Sequence, residues 1–284
     1  MRTLLTIAAQ IFALCFFVTG ACWGQELSPR AYWPAPQGMQ VFTLGYGHQA
    51  GDIVTDPSLP VIGVDSSIHI GAMAYQKTFG WFGRTSTLQF EVPFSSGTTS
   101  GEVEGSPERR AFSGFGDVSA TLSVNLLGAP SMTREEYGAF RADPKPILAA
   151  SLKILAPTGE YYDDRLINIG TNRWATRARL GYIQPLKKRW IMEASAGVWL
   201  FQDNDEFLGQ TREQNPIYAL DLSLIRRLRP GFWASVDFNY YFGGRTYIDG
   251  GESANLQRNS RLGLTIVYPF KGLGALRANY STGL

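Results

Sequence analysis

The stretch GFWASVDFNYYFGG, residues Gly231–Gly244, alternates between two kinds of side chain. Every second residue is apolar: Phe232, Ala234, Val236, Phe238, Tyr240 and Phe242. The residues between them are mostly polar and include Ser235, Asp237 and Asn239. Because side chains along a strand point alternately to its two faces, this segment would have one apolar and one polar face. Such a strand packs its apolar face in a soluble core, or turns that face to lipid in a membrane barrel.

The same alternation recurs along the chain and predicts eleven strands. They lie near residues 39–48, 63–78, 84–95, 114–127, 146–156, 169–184, 189–202, 215–228, 231–243, 257–270 and 273–282. Several are longer than the globular average of ~5–6 residues and reach the ~9–11 tilted residues that cross a bilayer. Strand length therefore favours an all-β fold, an antiparallel transmembrane up-and-down β-barrel.

The connections between these strands alternate in length, as they do in outer-membrane barrels. Long polar loops are predicted at residues 49–62, 96–113, 157–168, 203–214 and 244–256, with tight turns between them. Residues 128–146 stand where a short turn belongs, and we predict a helical turn there. Because single-chain bacterial barrels normally have an even strand count, about twelve strands are expected. Either one strand is missed or merged in the count of eleven, or the closing strand lies beyond the present C-terminus, which is the interpretation we favour.

The first 24 residues have the pattern of a secretory signal peptide, a positive start followed by an apolar run that ends in small residues. Cleavage between Ala21 and Gly24 would leave residues 25–284 as one barrel domain in the bacterial outer membrane. An uncleaved membrane anchor and a lipoprotein modified at Cys22 are the alternatives.

Composition limits the partners and the chemistry of the mature chain. Both cysteines, Cys15 and Cys22, lie in the signal region, so no disulfide or cysteine metal site is expected after cleavage. Loss of Arg2 leaves 25 basic against 24 acidic residues, a net charge of +1, which argues against a nucleic-acid partner. The expected partners are outer-membrane lipid, a small-molecule solute and the barrel assembly machinery during insertion.

If the apolar faces look outward, ten charged residues face the lumen of the barrel. They are Glu91, Asp117, Lys153, Arg177, Arg179, Glu193, Asp221, Asp237, Arg261 and Arg277. Their signs alternate in sectors around the wall, which argues against a filter built from one sign of charge. The charges either pair and fill the barrel, or form opposed walls that favour small polar or zwitterionic solutes. Four aromatic side chains, Tyr75, Trp199, Trp233 and Tyr241, are also predicted to point inward.

Evidence for an enzyme or a cofactor is weak. The only histidines are His48 and His69, and His69 next to a lumenal Ser67 on one strand is not a catalytic triad. The acidic runs at 161–164 and 203–206 could hold Ca²⁺, but solvated loop acids are the simpler interpretation. No motif for a nucleotide, metal or other cofactor is present, so none is assigned.

Several motifs resemble those of the outer-membrane β-barrel family of meta-pathway phenol-degradation transporters. The most specific are GTNRW at 170–174 and the pair YYFGG at 240–244 and QRNSRLG at 257–263. The resemblance implies a β-barrel that takes up aromatic or other apolar compounds, and it supplies no catalytic residue. We therefore expect an outer-membrane channel for passive passage of small molecules. A structural or adhesive barrel with a blocked lumen, and a soluble periplasmic β-sandwich binding protein, are the alternatives.

Overall fold

The computed structural model describes residues 29–52, 61–103, 106–165, 167–253, 255–270 and 274–284. The predicted signal peptide, its cleavage region and Cys22 lie outside these residues. In the described ranges, no helix is both long and apolar enough to cross a membrane.

One antiparallel sheet of twelve strands forms the molecule, and eleven of them follow one another as neighbours. These eleven are β1 (Gln40–Asp52), β2 (Val61–Trp81), β3 (Arg84–Val103), β5 (Ser119–Leu127), β6 (Ile147–Leu155), β7 (Ala175–Pro185), β8 (Trp190–Phe201), β11 (Ile217–Arg229), β12 (Phe232–Gly243), β15 (Gln257–Phe270) and β16 (Gly274–Gly283). The twelfth, β4 (Ser106–Phe115), pairs with the outer half of β3. The order is that of an up-and-down barrel, which confirms the predicted fold class and each of the eleven strands.

The sheet curls but does not close within the part of the chain that the structure describes. There, β1 pairs with β2 and β16 pairs with β15, and neither terminal strand has a second neighbour. The closing strand stays a prediction.

The apolar face of the sheet is its outer surface. Val236 is 48% exposed, whereas its neighbour Asp237 is fully buried. The same contrast holds on β15, where Leu264 is 57% exposed and Thr265 only 2%. A barrel in lipid has this arrangement, with apolar side chains on its outside and polar side chains on its inside. The alternative of a soluble β-sandwich is therefore wrong, because a sandwich would bury the apolar faces between two sheets.

Aromatic side chains mark the two rims of this outer surface. The outer rim carries Tyr46, Phe94, Phe115, Trp174, Tyr218 and Phe242, and the inner rim carries Trp81, Tyr182, Trp190, Tyr268 and Phe270, all of them exposed. At the inner rim, the guanidinium of Arg226 lies 5.1 Å from the ring centre of Trp190. Such aromatic belts are expected at the two membrane interfaces, where the rings contact lipid and charged groups reach water.

The connections at the outer end contain strands that the sequence did not reveal. Two predicted loops form a separate four-stranded sheet from β9 (Asn204–Phe207), β10 (Gln210–Gln214), β13 (Thr246–Ile248) and β14 (Gly251–Glu252). The predicted loop 96–113 is wrong, because β3 and β4 continue through most of it as a hairpin. These segments are short or polar on both faces, so they lack the alternation that identifies a strand.

The predicted helical turn is α1 (Arg134–Ala142). Thr133 caps it by accepting a hydrogen bond from the Glu136 amide at 3.3 Å, and the Glu136 carboxylate accepts one from the Thr133 amide at 2.7 Å. A short 3₁₀ turn (Lys187–Arg189) joins β7 to β8 at the same inner end. The inner end thus has a tight connection, after β7, and a longer helical connection, between β5 and β6.

Candidate solute pathway

The middle of the lumen holds a polar network that joins four strands. Arg179 on β7 forms an ion pair with Asp221 on β11. Ser195 on β8 accepts a hydrogen bond from Arg179 Nε at 2.9 Å and donates one to Asp221 Oδ2 at 2.8 Å. Asn239 on β12 donates to the other oxygen of Asp221. Two of the predicted lumenal charges therefore neutralise each other at one level of the barrel.

A second group of hydrogen bonds lies closer to β16. The buried carboxylate of Asp237 accepts hydrogen bonds from Ser235 Oγ at 3.0 Å and from Thr265 Oγ1 at 2.7 Å. Asn279 in turn donates to Thr265 Oγ1 at 2.8 Å. Hydroxyl donors stabilise a carboxylate that has been removed from water.

The remaining predicted charges lie on the same inner side at different heights. Lys153 Nζ is 3.6 Å from Glu91 Oε2, which links β6 to β3 across the intervening β5. Arg177 lies over the ring of Trp199, 4.9 Å from its centre. Arg261 on β15 and Arg277 on β16 are half-buried. Two pairs of oppositely charged residues are therefore in contact: Arg179 with Asp221, and Lys153 with Glu91.

Asp117 has a different role from the one predicted for a wall residue. It lies between β4 and β5, where the fourth wall strand is interrupted, and it is buried. Its carboxylate accepts hydrogen bonds from the Gly159 amide at 2.9 Å and from the amide and hydroxyl of Thr171, at 2.9 Å and 2.6 Å. Asp117 therefore anchors the loop between β6 and β7 rather than lining an open passage.

That loop packs against the wall through bare backbone. A β-carbon at Gly159 would lie 2.8 Å from the Cα of Gly170, and one at Gly170 would lie 2.6 Å from the carbonyl carbon of Gly159. Only glycine fits where two backbones approach this closely. Gly170 begins the GTNRW motif, so part of that motif serves loop packing.

Arginine and aromatic side chains alternate along the wall at the outer end. Phe201 and Trp199 are nearly parallel at 9°, with ring centres 6.3 Å apart. The guanidinium of Arg173 lies 4.7 Å from the centre of Phe201, and Arg177 covers Trp199 as described above. We call Arg173, Phe201, Trp199 and Arg177 the aromatic column. Burial lowers the pKa of Arg173 to about 10, because a charged guanidinium loses hydration there.

Apolar residues of three strands, β7, β11 and β12, back the aromatic column. Ala175, Ile217, Ala219 and Tyr241 form a cluster with Trp199 on the lumen side. Tyr241 and Trp199 therefore point inward, and so does Trp233 at the other end of the lumen. Tyr75 does not, because it pairs with the exposed Phe90 across β2 and β3 and shares its outer face. The inward prediction for Tyr75 was wrong since β2 has no clear polar face.

The inner end of the lumen is apolar, in contrast to its middle. Six inward-facing residues near the ends of β6, β7, β8, β11, β12 and β15 are buried: Ile147, Ile183, Ile191, Ile225, Trp233 and Val267. We call these six the apolar floor. Tyr32 belongs to the same cluster, and Trp33 and Phe140 pack against it. A lumen that is polar throughout, as expected from the alternation, is therefore incorrect for this end.

Residues 29–39, which we call the N-terminal segment, cross the inner end of the lumen. The Gly38 amide donates to the Thr78 carbonyl on β2 at 2.9 Å. Some eight residues earlier, the Arg30 amide donates to Glu193 Oε2 on β8 at 2.6 Å. The segment has no alternation and belongs to no strand, so no sequence pattern indicates its position.

The two histidines lie outside the barrel. Their ring centres are 4.8 Å apart, and both side chains are exposed on the face that carries Tyr46. Ser67 bonds to His48 Nε2 at 3.1 Å on this outer face, so its predicted lumenal position was wrong. No group of three or more His, Cys, Asp or Glu suited to a metal ion occurs among the residues described.

Comparisons with known proteins agree with this geometry. The profile of the family described as "Putative MetA-pathway of phenol degradation" matches residues 47–284. The crystal structure of an outer membrane channel from Pseudomonas putida F1 superposes with a TM-score of 0.74 at 22% sequence identity, covering 91% of this chain and 92% of that one. No curated protein sequence matches the chain. The fold is that of an outer-membrane β-barrel, which supports the predicted location.

Proposed function

Because the chain belongs to the family described as "Putative MetA-pathway of phenol degradation", we propose that it is an outer-membrane channel for passive passage of small molecules. The observation that carries the proposal is the orientation of the barrel wall, whose apolar side chains face outward and whose polar side chains face inward. Val236 is exposed on the outside, and Asp237 is buried on the inside. A wall of this kind encloses a polar interior within lipid. The similar fold of a bacterial outer membrane channel supports the same function.

We propose further that aromatic compounds are among the solutes. In the aromatic column, Phe201 and Arg173 are partly exposed at the outer end of the lumen, whereas Trp199 and Arg177 are buried. Rings and guanidinium planes both stack on aromatic solutes, with a gain of about 0.5–1.5 kcal/mol for each contact. The family description, which mentions phenol degradation, points in the same direction.

A second candidate is a barrel whose lumen stays blocked and whose outer loops bind a partner. The N-terminal segment favours it, since this segment crosses the inner end of the lumen from β2 to β8. Under either proposal, the barrel lies in outer-membrane lipid and is inserted by the barrel assembly machinery. Only the channel also has a small-molecule solute as a partner, because a blocked barrel passes no solute.

Conductance separates the two candidates. Purified barrel in a planar bilayer should show discrete current steps, and liposomes containing it should take up a charged aromatic solute, which crosses lipid slowly by itself, faster than protein-free liposomes do. Arg179→Gln removes the ion pair on the lumenal face of the wall and should change the step size, while Tyr218→Phe on the outer rim should not. If the correctly folded barrel carries no current, the channel function is refuted and the blocked barrel with binding loops is the remaining candidate.

A further inference from the structure

The side chain of Tyr32 occupies a pocket with the features of a phenol-binding site. Its hydroxyl lies 2.8 Å from Ser151 Oγ on β6, and its ring is only 7% exposed. The ring rests on the backbone of Gly181 on β7, where a β-carbon would overlap it. The Arg179 guanidinium stands 5.9 Å from the ring centre. A tyrosine side chain is itself a substituted phenol, so the chain provides its own ligand for this pocket.

Three kinds of surface recognise the ring and the hydroxyl group. The apolar walls of the pocket come from three buried residues of the cluster that contains Tyr32: Ile147, Ile183 and Ala149. The absent side chain at Gly181 lets a flat ring approach the strand directly. Ser151 supplies one hydrogen-bonding group at the depth of the phenolic oxygen. A pocket of apolar walls with one placed polar group is typical of small-molecule sites.

The charges near the pocket favour a neutral phenol over an aromatic carboxylate. A small cavity of about 20 Å³ next to Tyr32, enough for about one water, is lined by Arg179, Glu193 and Asp221 among others. Asp221 neutralises Arg179 through their ion pair, so no uncompensated positive charge faces the ring. Glu193 would repel a carboxylate placed there.

The segment that carries Tyr32 is attached by few bonds. Apart from Tyr32 itself, the Arg30 amide donates to Glu193, the Gln37 amide donates to the Met132 carbonyl at 2.8 Å, and Ser131 Oγ donates to Gln37 Oε1 at 3.2 Å. Gly38 and Met39 form a pair of backbone hydrogen bonds with Thr78 of β2. Trp33 packs edge-on against Phe140 of α1, with ring centres 6.0 Å apart. Because the segment shares no strand ladder with the wall around the pocket, it can leave while the sheet stays intact.

We propose that the Tyr32 pocket is a binding site for monocyclic phenols at the periplasmic end of the lumen, with Tyr32 as an intramolecular competitor. When the N-terminal segment moves out, a phenol takes the place of the ring on Gly181 and bonds to Ser151. The site lies where a solute leaves the lumen, so this inference rests on the proposed channel function for its biological meaning.

The test measures binding of 4-fluorophenol to the purified full-length barrel by ¹⁹F NMR titration. Tyr32→Ala empties the pocket and should lower the dissociation constant at least 10-fold relative to the unmodified protein. Trp33→Ala removes the packing of the segment against Phe140 but keeps Gly181 and Ser151, and it should also tighten binding, which keeps the test valid if Tyr32→Ala fails to fold. Tyr218→Ala, which removes an exposed tyrosine of the outer rim, should leave binding unchanged.

Two further variants test the contacts assigned to the pocket. In the Tyr32→Ala background, Ser151→Ala should weaken 4-fluorophenol binding about 5-fold, by loss of one hydrogen bond. Gly181→Ala in the same background should abolish the gain, because the methyl group occupies the position of the ring. 4-Fluorotoluene, which lacks the hydroxyl, should bind at least 5-fold more weakly than 4-fluorophenol.

The proposal is overturned if folded Tyr32→Ala and Trp33→Ala variants bind 4-fluorophenol no better than the unmodified protein, or if 4-fluorotoluene binds equally well. Binding is measured without transport, so the two proposals fail separately. A barrel that binds phenol but carries no current loses the channel function alone. A barrel that conducts but binds no phenol loses the pocket alone.

Discussion

Asp117 shows how one carboxylate can hold a whole loop. Its two oxygens accept three hydrogen bonds from Gly159 and Thr171, residues that are 42 and 54 positions away in the chain. The sequence places Asp117 in an alternating strand, where it reads as one more wall residue. Its partners lie in a loop whose course only the folded chain defines, so this role could not be predicted.

Replacing Asp117 by Ala should destabilise the loop between β6 and β7. Three buried donors would lose their acceptor, and an unsatisfied buried group costs about 1–3 kcal/mol. We expect a loss of about 3 kcal/mol or more in the free energy of unfolding, measured by urea denaturation in detergent micelles. Asp164→Ala, an exposed acid of the same loop, is the control and should change the value by less than about 0.5 kcal/mol. Equal effects of the two variants would refute the anchoring role.

Ionisation of Tyr161 should make the stability of the outer loops depend on pH. Its hydroxyl donates to the Glu206 carbonyl at 3.0 Å and accepts from Asn204 Nδ2 at 2.9 Å. Burial raises its pKa above the usual 10, since the phenolate would lose hydration. The unfolded chain therefore releases this proton at lower pH than the folded one, and the stability contributed by neutral Tyr161 is lost as pH rises above about 10.

This loss is measurable by comparing unfolding at pH 8 and at pH 11. The pH-dependent part should shrink in Tyr161→Phe, which has no proton to release. The neighbouring Tyr162→Phe, an exposed tyrosine of the same loop, should behave like the unmodified protein. An unchanged pH dependence in Tyr161→Phe would show that other groups cause it.

At the scale of elements, α1 is the least typical part of the barrel, because outer-membrane barrels usually have short periplasmic turns. The capping box at Thr133 fixes its start, and Phe140 directs it against Trp33 of the N-terminal segment. The Arg141 carbonyl also accepts a hydrogen bond from Arg227 of β11 at 3.1 Å. These contacts make α1 a support for the segment that crosses the inner end of the lumen.

Removing the cap should loosen this support. Thr133→Ala loses the side-chain acceptor for the Glu136 amide, which costs a helix about 1 kcal/mol. We expect faster hydrogen exchange of the backbone amides in residues 134–142, together with higher exchange around Trp33. Thr133→Ser retains the hydroxyl and is the control. If exchange around Trp33 does not change while α1 frays, the helix does not support the segment.

At the scale of the whole molecule, the decisive property is which face of the sheet meets lipid. Val236→Arg would place a charge near the middle of the lipid-facing surface of β12, at a cost of about 2–4 kcal/mol. Phe242→Arg, at the outer rim of the same strand, should cost only about 0–1 kcal/mol. The difference should appear as a lower folded fraction of Val236→Arg in lipid bilayers, read from heat-modifiable gel mobility. Equal costs would mean that the outward surface is not embedded as assigned.

The alternation of Phe232 to Phe242, repeated along the chain, predicted the eleven neighbouring strands of the wall, their antiparallel order and the orientation of most of their faces, but not β4 or the four short strands of the outer connections. This prediction is possible because each strand has lipid on one side and the lumen on the other. Apolar and polar residues must therefore alternate along it, and that alternation is visible in the sequence. Tertiary structure alone decided that Arg30, Tyr32 and Arg173 enter the lumen and that Asp117 holds a loop. Those positions depend on contacts between distant segments, which leave no periodic signal in the sequence.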